Sequence, residues 1–358
     1  MATLEDVFVF DAVSHSYNLA PSNFRVPDQA RQIADGFASS MQTGPVAYRR
    51  TPESVLRDWD IEETANLLFR ECPTDFTVFH PQSITVFEDG LTALEKVRAF
   101  TERYPTRSAA LASVDLIGMN DPRAELTRQV EAFDPHGVKV YPSYWDDDGE
   151  HHAFRMDDPS EAFPLWERVA DLGLDVVAVH KAVPFGDVSE DPYRVGDVAD
   201  AAEQFPDLQF EVVHGGMTFA EETGWLLAEH PNVSVNLELT GYEAAADPEG
   251  FVDTMTQLLW AGGPEVLDRI VWGSGAPHYH PRMVLEAFWN FEFPEMEWRD
   301  GTYTITEEDK RKILGENAAR THGFDVDDLR QRTADDEFSD VERVEEPYAT
   351  TDFEPLEA

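Results

Sequence analysis

Four apolar runs in this chain each end on a histidine: FVFDAVSH at His15, DVVAVH at His180, FEVVH at His214 and IVWGSGAPH at His278. Imidazole ligates transition metals and exchanges protons near neutral pH, so several such rings meeting at one mouth would make a metal or proton-transfer site. One histidine after an apolar strand is more simply a hydrogen-bonded structural residue. Four at corresponding strand ends argue for function, because structural need gives no reason for them to converge. His280, just beyond His278, can reach the same mouth, and His80 ends a further run. Lys139 lies within GVKV (137–140) and Lys181 follows His180. A lysine there either anchors a substrate carboxylate or spans out to solvent. Asp11 and Glu238 are carboxylates near strand ends, whereas His136, His230 and His322 fall at turns or helix ends and read as structural.

The elements that must carry these residues follow from hydrophobic period. Short β-branched runs at 8–15, 75–81, 108–116, 137–144, 175–180, 208–214, 233–239 and 269–275 alternate with segments whose apolar residues recur at three- and four-residue spacing. Continuous apolar runs of this kind are strands buried on both faces. Eight strands alternating with helices predict an α/β fold, the (β/α)8 TIM barrel, whose active sites lie at the C-terminal strand ends. The histidines fall there. The stretch 18–73 is an insertion containing one long helical pattern at 52–72, and the polar stretch 146–161 follows the fourth strand; both would overhang the mouth. We therefore expect one barrel over 1–324 and a mobile acidic tail over 325–358, where composition offsets ordering entropy poorly.

The 71 acidic and 27 basic residues give a formal net charge of −44. Such a field repels polyanions, so nucleic acid and anionic membrane are not expected as partners. The acidity runs the full length and resembles that of halophilic archaeal proteins, where it serves solubility. With the lone Cys72 no internal disulfide forms, and no apolar run approaches a membrane span. A soluble, cytoplasmic protein is expected, with a small-molecule substrate as its partner and self-association into a homo-oligomer left open.

Several motifs occur in a telling order: Asp11-Ala-Val-Ser-His15, Gly137-Val-Lys-Val-Tyr-Pro142, Phe205-Pro-Asp-Leu-Gln-Phe-Glu-Val-Val-His-Gly-Gly216, Pro231-Asn-Val-Ser-Val-Asn236, Asp268-Arg-Ile-Val-Trp-Gly-Ser-Gly-Ala-Pro-His278 and Ile313-Leu-Gly-Glu-Asn-Ala-Ala-Arg320. Together they resemble the amidohydrolase-related branch of the amidohydrolase superfamily, metal-dependent TIM-barrel hydrolases and decarboxylases, to about residue 324. The resemblance implies a divalent metal, zinc by ligand type, with His15 as the second histidine of an Asp-x-His-x-His opening and His180 as the strand-five ligand. It implies that His214 polarises or protonates substrate and that His278 closes the strand-eight motif.

Two positions depart from that pattern. Val13 stands where the first histidine belongs, and Gly275 where a strand-eight aspartate belongs. A frame shifted by two, pairing His15 with Tyr17, breaks the match at Asp11. The expected activity is hydrolysis of a small carboxylated or cyclic substrate, with metal on His15, His180 and a non-standard third group, His214, His278 and His280 as catalytic groups, and Lys139 and Lys181 as substrate anchors. A metal-independent decarboxylase or lactonase-like enzyme is the first alternative. A catalytically degenerate ligand-binding barrel is the second.

Overall fold

The computed structural model describes residues 4–184 and 186–356. Eight parallel strands follow one another in sequence order around a single sheet: β1 (Phe10–Ser14), β2 (Phe76–Phe79), β3 (Ser108–Ser113), β4 (Gly137–Val140), β5 (Val176–His180), β6 (Gln209–Val213), β7 (Val233–Asn236) and β8 (Ile270–Val271). The sheet curls into the expected barrel. Its first and last strands are stitched by three backbone bonds, in which Ala12, Gly275 and His15 donate to the carbonyls of Trp272, Val13 and Ala276 at 2.9, 3.0 and 2.8 Å.

Side chains alternate across each strand, which explains why nearly every strand residue is apolar. Val177, Val179 and Val212 face outward onto Leu165, Trp166 and Val169 of the helical layer. Ala178 and Val213, one residue out of phase, join Phe10, Ala12, Val13, Val78, Leu111 and Val271 in an inner cluster closed by Ala318, Ala319 and Leu329. Burial of each such Val or Leu is worth about 1.5–3 kcal/mol.

Strand β1 does not alternate strictly. Asp11 pairs with Thr77 but Ser14 pairs with Phe79, so three steps along β1 match two along β2. This bulge places Val13 with Phe10 and Ala12 and leaves Asp11 free to clamp β8, accepting from the Ser274 amide at 2.8 Å and from its hydroxyl.

The expected single helix over 52–72 is instead two pieces, Pro52–Val55 and Ile61–Asn66, the latter continuing as a wide turn to Glu71. Asp60 explains the break: it caps the second piece in a reciprocal box with Glu63, a stronger start signal than the apolar period is a continuation signal. The insertion also holds the helix Pro27–Ser40, whose Ile33, Ala34 and Phe37 pack in a cluster with Tyr17, Trp59, Trp145, Tyr348 and Phe353. The polar stretch after β4 forms a hairpin, Ser143–Trp145 against His151–Ala153, held to the insertion by Arg25, which donates to the Trp145 carbonyl at 2.5 Å.

Beyond residue 324 the chain runs back over the insertion. Buried Glu71 accepts from the Tyr348 amide at 2.6 Å and the Thr350 amide at 2.8 Å, and Arg282 donates to the Val344 and Glu345 carbonyls at 2.7 and 2.6 Å. Among the described residues no helix is long and apolar enough to cross a membrane.

Candidate active site

At the C-terminal end of the barrel lies a cavity of about 360 Å³ lined by His15, Lys139, His180, His214, Glu238 and His278, with Tyr17, Phe37 and Tyr141 as aromatic walls. The backbone that delivers these groups takes positive φ at four successive strand ends, strained at the three that are not glycine. Ala182 after β5, His214 after β6, Leu239 after β7 and Gly275 after β8 all adopt positive φ, at 63°, 62°, 61° and 63°. Non-glycine residues occupy this region at a cost, and such outliers cluster where side chains must be aimed.

Glu238 is the centre of the arrangement. One carboxylate oxygen lies 3.5 Å from His15 Nε2 and the other 3.5 Å from His214 Nδ1. His214 Nε2 lies 3.3 Å from His180 Nδ1, and His180 Nε2 lies 2.9 Å from the Val183 carbonyl. At the other end His15 Nδ1 lies 3.0 Å from the His80 carbonyl. Carbonyls only accept, so His15 donates through Nδ1 and His180 through Nε2. Neutral His180 then presents a bare Nδ1 toward His214 Nε2. His214 Nδ1 faces two acceptors, the Glu238 carbonyl at 3.4 Å and its carboxylate at 3.5 Å. His15 turns Nε2, opposite its donating Nδ1, toward the other carboxylate oxygen.

Burial alone would raise the Glu238 pKa, but His214, His15 and Lys139 outweigh it and hold the carboxylate ionised, well below the usual range. Burial lowers His214 despite the pull of Glu238, and burial with His214 and Lys139 lowers His180 well below the ordinary imidazole value. Lys139 is pushed down to about 8 by burial, against attraction from Glu238 and Glu211. Its ammonium sits 5.3 Å from the Tyr141 ring centre, and among the described residues it has no carboxylate within 4 Å. His278 is pushed to about 4 by burial.

Imidazole nitrogens with a carboxylate suit a divalent ion such as zinc, and the donors whose chemistry fits are His15, His214 and Glu238. Among the described residues no three such side chains are already gathered as a closed cation site. His180 stands beside His214 rather than His15, with both nitrogens engaged.

Of the catalytic, metal-binding and substrate-anchoring residues expected from sequence, His15, Lys139, His180, His214 and His278 share the cavity. Two do not. His280 caps the helix Pro281–Asn290, accepting the Arg282 amide on Nδ1, and is buried against Glu71 at 2.8 Å, because the chain turns away after Tyr279. Lys181 points to the opposite side from His180, as strand alternation requires, where it meets Asp197 at 2.8 Å and the Pro192 carbonyl at 2.7 Å. His322, expected to be structural, is buried on Glu211 at 2.9 Å.

In the sequence Glu238 reads only as a carboxylate near a strand end. The signal for it was the period-two polar series Ser234, Asn236, Glu238, which lines the inside of β7 and its extension. Ser40, whose hydroxyl lies 2.8 Å from His278 Nε2, and Gln32 and Gln82 in the cavity wall carried no local signal.

Residues 79–324 match the family model described as Amidohydrolase. No curated protein matches the chain. Among solved structures, an uncharacterized TIM-barrel protein from Bordetella bronchiseptica is 18% identical, covers 88% of this chain and 100% of its own, and superposes with a TM-score of 0.60. The 5-carboxyvanillate decarboxylase of Novosphingobium aromaticivorans, with bound manganese, is 13% identical over 90% of this chain and 99% of its own, TM-score 0.54. A probable 2-pyrone-4,6-dicarboxylic acid hydrolase from Acinetobacter baumannii, with citric acid bound, is 14% identical over 88% and 99%, TM-score 0.53. At these identities the likeness is one of fold, and the family match covers more than half of the chain. The eight-stranded barrel with its histidine-bearing mouth belongs to the amidohydrolase family.

Proposed function

We propose that the chain is a hydrolase of small cyclic or aromatic substrates that carry a carboxylate. The observation that carries this reading is Glu238, an ionised carboxylate 3.5 Å from imidazoles on either side, in the same cavity as the buried Lys139 ammonium. Lys139 takes the substrate carboxylate, which replaces the hydration that burial removes. Tyr141 and Phe37 line the same cavity and give a substrate ring aromatic walls to pack on. His15 and Glu238 orient the attacking water, and Glu238 receives its proton. Glu238 then returns that proton to the departing oxygen while His214 Nδ1, 3.5 Å away, holds the carboxylate in place, general acid–base help worth about 10² to 10⁴ fold. A divalent ion held by His15, His214 and Glu238 would add charge stabilisation at the carbonyl and acidify the water.

Decarboxylation without a metal is the second reading. It is favoured by Val13, whose side chain belongs to the apolar inner cluster at the place where a second β1 imidazole would serve an ion. The manganese-bound decarboxylase and the probable pyrone dicarboxylate hydrolase named above have the same fold and carboxylated compounds in their names.

Carboxylated lactones and hydroxybenzoates, offered in high-salt buffer containing ¹⁸O water, separate the two. Hydrolysis puts ¹⁸O into the product without releasing carbon dioxide. Carbon dioxide release supports the second reading, and saturable binding with neither outcome contradicts both.

A further inference from the structure

The site carboxylate stands where it does because Gly275 has no side chain. A Cβ built on Gly275 would lie 2.6 Å from Glu238 Oε1 and 2.7 Å from its Cγ, closer than real Cβ contacts come, and 3.1 Å from its Cδ, tighter than most. Glu238 therefore occupies the volume in which a side chain from the β8 end would lie. Two further features hold the exchange in place. Gly275 adopts a φ of 63°, which only glycine enters freely, and its amide donates to the Val13 carbonyl at 3.0 Å, fixing the bare α-carbon against the mouth. On the other strand Leu239 takes the strained φ of 61°, and the amide of Glu238 itself donates to Asn236 Oδ1 at 3.2 Å, aiming the side chain across toward β8.

From this geometry we infer that Gly275 is a positioning residue for the Glu238 carboxylate, and that the site reads one carboxylate delivered between His15 and His214 from either β7 or β8. The inference rests on the proposed role of Glu238 but concerns its placement, so it is testable without a substrate. The Glu238 side chain and a Cβ at 275 would compete for one volume, so a carboxylate from either residue fills it only if the other is small. The exchange Glu238→Ala with Gly275→Asp transfers the group from one strand end to the next, and aspartate is among the residues that tolerate a positive φ.

The experiment is a ring ¹H–¹⁵N correlation spectrum of histidine-labelled full-length protein, with His15 and His214 assigned from single His→Gln variants. Glu238→Gln and Gly275→Ala are both expected to shift the His15 and His214 signals, leaving His322 at its original position. The exchange variant is expected to bring both signals back toward the wild-type pattern. In turnover, once a substrate is in hand, Gly275→Ala should cost on the order of 10² fold in kcat, the penalty of misplacing a catalytic group by about 1 Å. Unshifted His15 and His214 signals in folded Gly275→Ala overturn the inference, as does an exchange variant no closer to wild type than Glu238→Ala. Should Gly275→Ala fail to fold, Glu238→Gly with added formate replaces it. Formate should restore the ring signals by entering the vacated space, and no effect of formate overturns the inference. Shifted signals with no hydrolysis of any substrate would instead remove the proposed function and leave the placement standing.

Discussion

His278 Nε2 lies 2.8 Å from Ser40 Oγ, joining the loop after β8 to the last turn of the inserted helix Pro27–Ser40. The His278 ring is packed against Phe37 of the same helix at a centroid distance of 4.6 Å. This contact draws the insertion over the mouth and makes it a wall of the cavity. Ser40→Ala should cost about 1 kcal/mol, the usual net worth of a buried hydrogen bond, and raise KM more than it lowers kcat. Thermal unfolding with Michaelis kinetics checks both.

Lys139 trades stability for binding. Its folded pKa of about 8 lies below the ordinary lysine value, so the folded state is penalised fully below pH 8 and the penalty fades as pH rises toward 10.5. Lys139→Met should raise stability by roughly 1–3 kcal/mol at pH 7, with a gain that shrinks at higher pH. The same change should raise KM for an anionic substrate at least tenfold. In the wild type KM should climb as pH passes through about 8, where the ammonium loses its proton. Denaturant melts and a KM profile across pH 6 to 9 read these effects.

The strands and their ends were legible in the sequence, and local departures from strict alternation were not. His15, His180, His214 and His278 each follow an apolar run that can only be a doubly buried strand, so their convergence follows from the barrel. The bulge in β1 was hidden, because Asp11, Val13 and His15 satisfy strict alternation on paper. Lys181 adjoins His180 in sequence, but strand alternation turns it to the opposite side, onto Asp197. His280 looked available because nothing in its own motif pointed to Glu71, which lies far away in sequence and is brought close by the insertion.

Glu71 ties the end of the chain to the insertion and to His280. Burial would raise its pKa, but hydrogen bonds from His280 and Thr350 outweigh that and hold it below the usual carboxylate value. A carboxylate lowered in this way contributes stability above its unfolded pKa and loses it as pH falls through the folded value. Glu71→Ala should therefore cost about 3 kcal/mol at pH 7 and progressively less under acid conditions. Removing the chain after residue 343 should cost a similar amount and raise KM through the loosened insertion. Calorimetry across pH 3 to 7 measures this.

A divalent ion held by His15, His214 and Glu238 should load to about one equivalent per chain. Glu238→Gln should weaken its retention at least tenfold, while Lys181→Met should leave it unchanged. Zinc and manganese content after dialysis, read by elemental analysis, gives the answer.

The central claim is that the carboxylate between His15 and His214 performs the chemistry. Its most direct test is single-turnover hydrolysis of a carboxylated lactone by wild type and Glu238→Gln, both verified as folded. The expected result is a loss of at least 10² fold in the chemical rate with substrate binding retained within a few fold. An undiminished rate in Glu238→Gln would contradict the account.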